Sequence, residues 1–154
     1  MTSSFYLTKG KTCHLQPDGS VIHTDENFRL HNDNGPAIVR SNGGREWWYD
    51  GHRHREDGPA IIRENGDLEW WFNGKRHRKD GPAADLLDGN IEYWFHGRRH
   101  NNSGPAIIRP NGDQEWWQNG KLHRPIGPAV EFLDGYREWW MFGRMTHCEE
   151  GDCY

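Results

Sequence analysis

The sequence predicts an all-β protein, an elongated single-layer antiparallel sheet assembled from 23-residue β-hairpin repeats. Three observations carry this expectation. Gly-Pro-Ala begins at Gly35, Gly58, Gly81, Gly104 and Gly127, always 23 residues after the last, which is the signature of a repeat architecture. Asn-Gly or Asp-Gly stands at Gly43, Gly66, Gly89, Gly112 and Gly135, where tight hairpin turns need positive φ. Only 33% of the 154 residues are hydrophobic, yet 13% are aromatic and nine are Trp. Such a chain buries its apolar surface thinly, by rings and turns, instead of in a deep aliphatic core.

The elements follow in order. Residues 1–34 read as an N-terminal cap carrying a degenerate repeat over 12–34, as end units of an array must. Five repeats occupy 35–57, 58–80, 81–103, 104–126 and 127–147, and residues 148–154 form a C-terminal tail. Each repeat opens on the Gly-Pro turn and a short apolar strand, Ile38-Val39 in the first. The Asn42-Gly43 turn leads into Glu-Trp-Trp-aromatic, a strand-favouring run such as Glu69 to Phe72. A second turn, Asp50-Gly51, Asn73-Gly74 or Asn119-Gly120, returns the chain through a His-Arg segment to the next Gly-Pro. No segment has helical periodicity or caps.

Two-residue turns would pair Ile38 with Trp47 and Val39 with Glu46 at the first turn. At the second they would pair Tyr49 with His52, Trp48 with Arg53 and Glu46 with Arg55. Alternation then places Ile38, Arg40, Trp47, Tyr49 and His54 on one face. Ala37, Val39, Glu46, Trp48, Arg53 and Arg55 take the other.

Composition narrows the function. Net charge is −4, with nineteen basic and twenty-three acidic residues interleaved, so no nucleic-acid or anionic-membrane footprint is expected. Mean hydropathy is −1.08, and no apolar run approaches a membrane span. Met1 to Lys11 lacks a basic stretch followed by an apolar core, and three Cys form no framework, so a cytoplasmic location is expected.

The unit Gly58-Pro59-Ala60, Asn65-Gly66, Glu69-Trp70-Trp71, Asn73-Gly74, His77-Arg78, Asp80 resembles variant MORN repeats, and the resemblance covers about 35–147. It implies a twisted antiparallel sheet used as a scaffold or interaction surface, with no catalytic residues. Repeats of this kind are common in bacterial immunity or antitoxin factors and in proteins of large viruses and phages.

The columns of Glu (46, 69, 92, 115, 138) and His (31, 54, 77, 100, 123) invite a catalytic or metal reading. Cross-strand pairing, Glu46 with Arg55, Glu69 with Arg78, Glu92 with Asn101 and Glu115 with Arg124, is the simpler account of the acids. Successive His would lie about 10–15 Å apart, too far to share a metal. His147-Cys148 with Cys153 is weak as a ligand set, so no metal, no cofactor and no enzyme are expected. The expected function is a non-enzymatic interaction protein, with a rigid aromatic surface that binds, and inhibits or neutralises, a protein partner. The expected face is Arg40, Trp47, His54, Arg63, Trp70, His77, Tyr93, His100, Arg109, Trp116 and His123, cations interleaved with rings. The alternative is binding of a small anionic or aromatic ligand, nucleotide- or sugar-like, on the same face. Edge strands would also allow a homo-oligomer. The repeats depart from their own pattern at Leu86-Leu87, Leu122, Ile126 and Phe132-Leu133.

Overall fold

A computed structural model of the chain describes residues 5–8 and 11–150. Every regular element among them is a strand, and every pairing with a described register is antiparallel. The chain divides into two compact units, Met1–Lys75 and Arg76–Tyr154.

In the first unit the main sheet runs strictly in sequence order: Phe5–Thr8, Lys11–Leu15, Val21–Thr24, Ile38–Val39, Arg45–Glu46, Ile61–Ile62 and Leu68–Glu69. In the second unit the order is Ala84–Asp85, Ile91–Glu92, Ile107–Ile108, Gln114–Glu115, Val130–Glu131, Arg137–Met141 and Arg144–Glu149. The second hairpin of a repeat leaves this sheet. Trp48–Tyr49 with His52–Arg53, Trp94–Phe95 with Arg98–Arg99, and Trp117–Gln118 with Lys121–Leu122 are separate two-stranded ladders.

The first turn has one residue more than the sequence reading allowed. Arg40 N donates to Gly44 O and Gly43 N to Arg40 O, a three-residue loop in which Gly43, at φ 92°, supplies the left-handed step. The same bonds recur from Arg63, Leu86, Arg109 and Phe132. The extra residue slips the register by one, so Ile38 lies opposite Glu46 and Val39 opposite Arg45. A slip of one moves side chains to the other face. Ile38 and Arg40 therefore share the face of Glu46, which corrects the face assignment above. The second turn is the two-residue type expected, with Asp50 at φ 48° and Gly51 at φ 78° joining Tyr49 to His52.

The core is one alanine deep. Ala37, Ala60, Ala83, Ala106 and Ala129, the last residues of each Gly-Pro-Ala, are completely buried. Their backbones sit in the sheet, with Ala37 N on Glu46 O and Trp47 N on Ala60 O. Ile61, Ala84, Ile107 and Val130 add the rest of the buried apolar set among the described residues.

Candidate functional site

Each column of polar residues has a defined structural duty. Glu46 and Glu69 are almost wholly buried, at 6% and 2% exposure. The indole Nε1 of the second Trp in the motif donates to the Glu two residues before it: Trp48 to Glu46, Trp71 to Glu69, Trp94 to Glu92, Trp117 to Glu115 and Trp140 to Glu138, at 2.7–3.1 Å. The other carboxylate oxygen is met by arginine: Arg40 on Glu46, Arg63 on Glu69 and Arg109 on Glu115. Register explains the choice, because the slip brings Arg40 onto the Glu46 face. The expected partners Arg55 and Arg124 turn elsewhere, Arg55 to Asp57 and Arg124 to Glu131.

Those residues instead staple the Gly-Pro turn. Asn32, Arg55, Arg78, Asn101 and Arg124 each donate a side-chain N–H to the carbonyl of the proline four residues on, at 2.8–3.2 Å. Arg55 and Arg124 also lie over Trp47 and Trp116, at 4.0 and 3.8 Å from the ring centres.

The His column is an acceptor column. His31, His54, His77, His100 and His123 each take, on Nδ1, the backbone N–H nineteen residues later, from Asp50, Asn73, His96, Asn119 and Phe142. Those residues open the second turn of the following repeat at positive φ. The glycine after each donates to a carbonyl just before the His, Gly51 to Leu30, Gly74 to Arg53, Gly97 to Arg76, Gly120 to Arg99 and Gly143 to Leu122. Every second turn is thus docked by two backbone donors onto the repeat before it. At His31 and His54 the same Nδ1 also lies 3.2 Å from Asp50 Oδ1 and 2.8 Å from Asn73 Oδ1, so side chain and backbone of the turn residue both meet the ring.

Within the first unit the sequence-predicted binding residues Arg40, Trp47, His54 and Arg63 divide between two clefts. Trp47 and His54 line a cleft of about 510 Å³ whose rim also carries Asp33 and Asp57. Arg40 and Arg63 line a different cleft of about 290 Å³ beside Glu46 and Glu64. Tyr93 lines a third, with Lys79 and Asp80. Trp70 and Trp116 are half-buried; His77, His100 and His123 hold turns, and Arg109 holds Glu115. Among the described residues no group of three His, Cys, Asp or Glu side chains could hold a metal; Cys153 lies outside them. No helix among them is long and apolar enough to cross a membrane.

Two features escaped the column reading. One is an apolar row on the first turns of the second unit, where Leu87 is 71% and Leu133 74% exposed and Phe132 stands beside Leu133. The turns abut: a methyl group built on Gly89 would meet Pro110 Cβ at 3.0 Å, and one on Gly112 would meet Leu133 Cδ1 at 3.5 Å. The equivalent positions in the first unit are Ser41 and Glu64. The departures from the repeat pattern at Leu86-Leu87 and Phe132-Leu133 are the signal that marks this row. The other feature is a cation-rich cleft at Arg98 and Arg99. Compared with known protein families and with curated proteins, the chain matches none of them.

Proposed function

We propose that this chain is a non-enzymatic interaction protein that binds a protein partner and inhibits it by covering its surface. The observation that carries the reading is the exposed row Leu87, Pro110 and Leu133, with Phe132 beside it. Apolar side chains left in water along one edge of a regular repeat are what a partner's apolar surface would cover. The framework around them supports a binding role. The carboxylates and imidazoles that would do acid–base work are bonded into ion pairs and turn contacts that hold the repeats together. A general acid or base would have to give up such a bond to act.

Native mass spectrometry of the tagged chain recovered from its own cells tests this. The expected result is a second polypeptide at fixed stoichiometry, lost in the double variant Leu87→Asp, Leu133→Asp whose circular dichroism is unchanged. Recovery of a bare chain, or retention of the polypeptide by the folded variant, would count against the proposal.

A further inference from the structure

The second hairpins set arginines against tryptophans. Arg53 lies 4.9 Å from the Trp48 ring and 5.2 Å from the Trp71 ring; Arg99 lies 5.3 Å from Trp94 and 5.2 Å from Trp117. Arg76 lies 5.6 Å from Trp94. Two of these three cations are neutralised. Glu46 Oε2 is 3.5 Å from Arg53 Nε, and Glu92 Oε2 is 3.1 Å from Arg76 Nη1. Arg53 Nε and Arg99 Nε are both enclosed without a hydrogen-bond partner, but Arg99 alone of the three meets no carboxylate among the described residues.

A half-buried guanidinium with no acceptor is unusual, because an enclosed donor without a partner costs about 1–3 kcal/mol. The two indoles compensate in part through cation–π attraction. They also crowd the group, whose central carbon lies within 5.3 Å of both ring centres. Arg99 lines an open cleft of about 370 Å³ together with Trp94, Arg98, Trp117 and Asn119. That lining holds two cations and no acid, whereas the clefts at Arg40, Trp47 and Tyr93 all carry carboxylates. Arg98 is exposed, and its stem passes 3.5 Å from where a methyl group on Gly120 would stand. The turn beneath is rigidly held, with Gly120 N on Arg99 O and Asn119 N on His100 Nδ1.

We infer that this cleft binds the side-chain carboxylate of an acidic segment of a partner protein, held by the Arg99 fork and steered by Arg98. The charge of the lining selects an anion. The planar fork fits a carboxylate, which can accept two parallel N–H bonds. Two indoles already engage the guanidinium, at 5.3 and 5.2 Å from their ring centres, which favours hydrogen bonding over further ring stacking as the ligand's contact. The cleft is too open to enclose most of a small molecule's surface, as a dedicated small-ligand pocket does, so the carboxylate comes on a longer chain that makes its own further contacts. This site is independent of the apolar row and lies on different residues.

The test is a titration of the full chain with a hexaglutamate peptide, followed by the indole N–H signals in nitrogen–proton NMR spectra. Shifts confined to Trp94 and Trp117, saturating with peptide and at least tenfold weaker in Arg99→Gln, are expected. Arg98→Gln, a change at an exposed side chain, should weaken binding several-fold with the spectrum otherwise intact. Arg45→Gln, an exposed cation of the other unit, should change nothing. Equal shifts at Trp48 and Trp71, no shift at all, or unchanged binding by Arg98→Gln and Arg99→Gln would overturn the assignment. Shifts of the same size from hexaglutamine would remove the carboxylate from it. Shifts of the same size from inorganic phosphate at equal charge would reduce the site to a general anion trap and overturn the peptide reading.

Discussion

Replacing His123 by Phe separates the two things that its ring does. The side chain is buried, its Nδ1 accepts the Phe142 N–H at 3.3 Å, and its ring stacks on Phe142 with centres 4.1 Å apart and planes 17° from parallel. His123→Phe keeps a ring of similar shape in the stack and deletes only the acceptor. An orphaned donor costs about 1–3 kcal/mol when water cannot reach it. Phe142 is an exposed turn residue, so water replaces part of the bond and the loss falls near the bottom of that range, about 1 kcal/mol. For a chain of this length that is roughly 2–4 °C of melting temperature. His123→Ala, which removes the stack as well, should lose about 1 kcal/mol more, the usual worth of an aromatic pair. Urea unfolding followed by tryptophan fluorescence gives the stabilities, and amide exchange at Phe142 reports the turn directly. A His123→Phe protein as stable as its parent, with Phe142 exchange unchanged, would refute the acceptor role and leave the column as ring packing alone.

Further outcomes follow from the same contacts. Burial and the neighbouring His96 hold the His77 imidazole below its ordinary value of 6.5, so the unfolded chain takes up this proton first as pH falls. The His77 contribution to stability is therefore complete above 6.5 and is lost as pH drops through the lower native value, a fall that His77→Phe should flatten in urea titrations from pH 8 to 5. Ala60→Val adds two methyl groups at a position with no exposed surface and should cost about 1–3 kcal/mol, read by thermal melting. Glu69→Gln breaks the charge-assisted bond from Arg63 at 2.6 Å and weakens that from Trp71 Nε1; a loss of about 1.5–3 kcal/mol in urea unfolding is expected. Gly66→Ala meets no atom within 4 Å but keeps φ at 95°, so its cost is purely conformational, about 1–2 kcal/mol by melting.

Particular residues show why some of this was legible in the sequence. Asp50-Gly51 announces a two-residue turn, and the structure has one. Asn42-Gly43 uses the same letters for a three-residue loop, because a glycine at positive φ serves both turns and only the neighbouring bonds tell them apart. That single ambiguity moved Ile38 to the wrong face and hid Arg40 as the partner of Glu46, whereas the expected Glu46–Arg55 pair fails because the second-turn ladder ends at Trp48 and Arg53. His96-Gly97 and Phe142-Gly143 form the second turn without Asn or Asp, their strained φ sustained by stacking on His77 and His123. Spacing alone marks them. The His acceptors were visible as a column but not as acceptors, since a contact nineteen residues away depends on how the next repeat docks. Arg99 resembles Arg53 and Arg76 in the alignment of repeats and is distinguished only by the carboxylate that it lacks.

The two-donor clasp of each second turn also constrains how this chain can change in length. The residue receiving the turn and the residue offering it are always nineteen apart, and the pattern recurs every 23 positions. Excision of residues 58–80 would bring His54 to the same distance from His96 that it now has from Asn73. A cut within these repeats that is not a multiple of 23 and falls between a His and its donor would leave that clasp out of phase. Gene-level gains and losses there that survive are then whole periods, and across a clasp this protein can lengthen or shorten only in steps, as a ruler does.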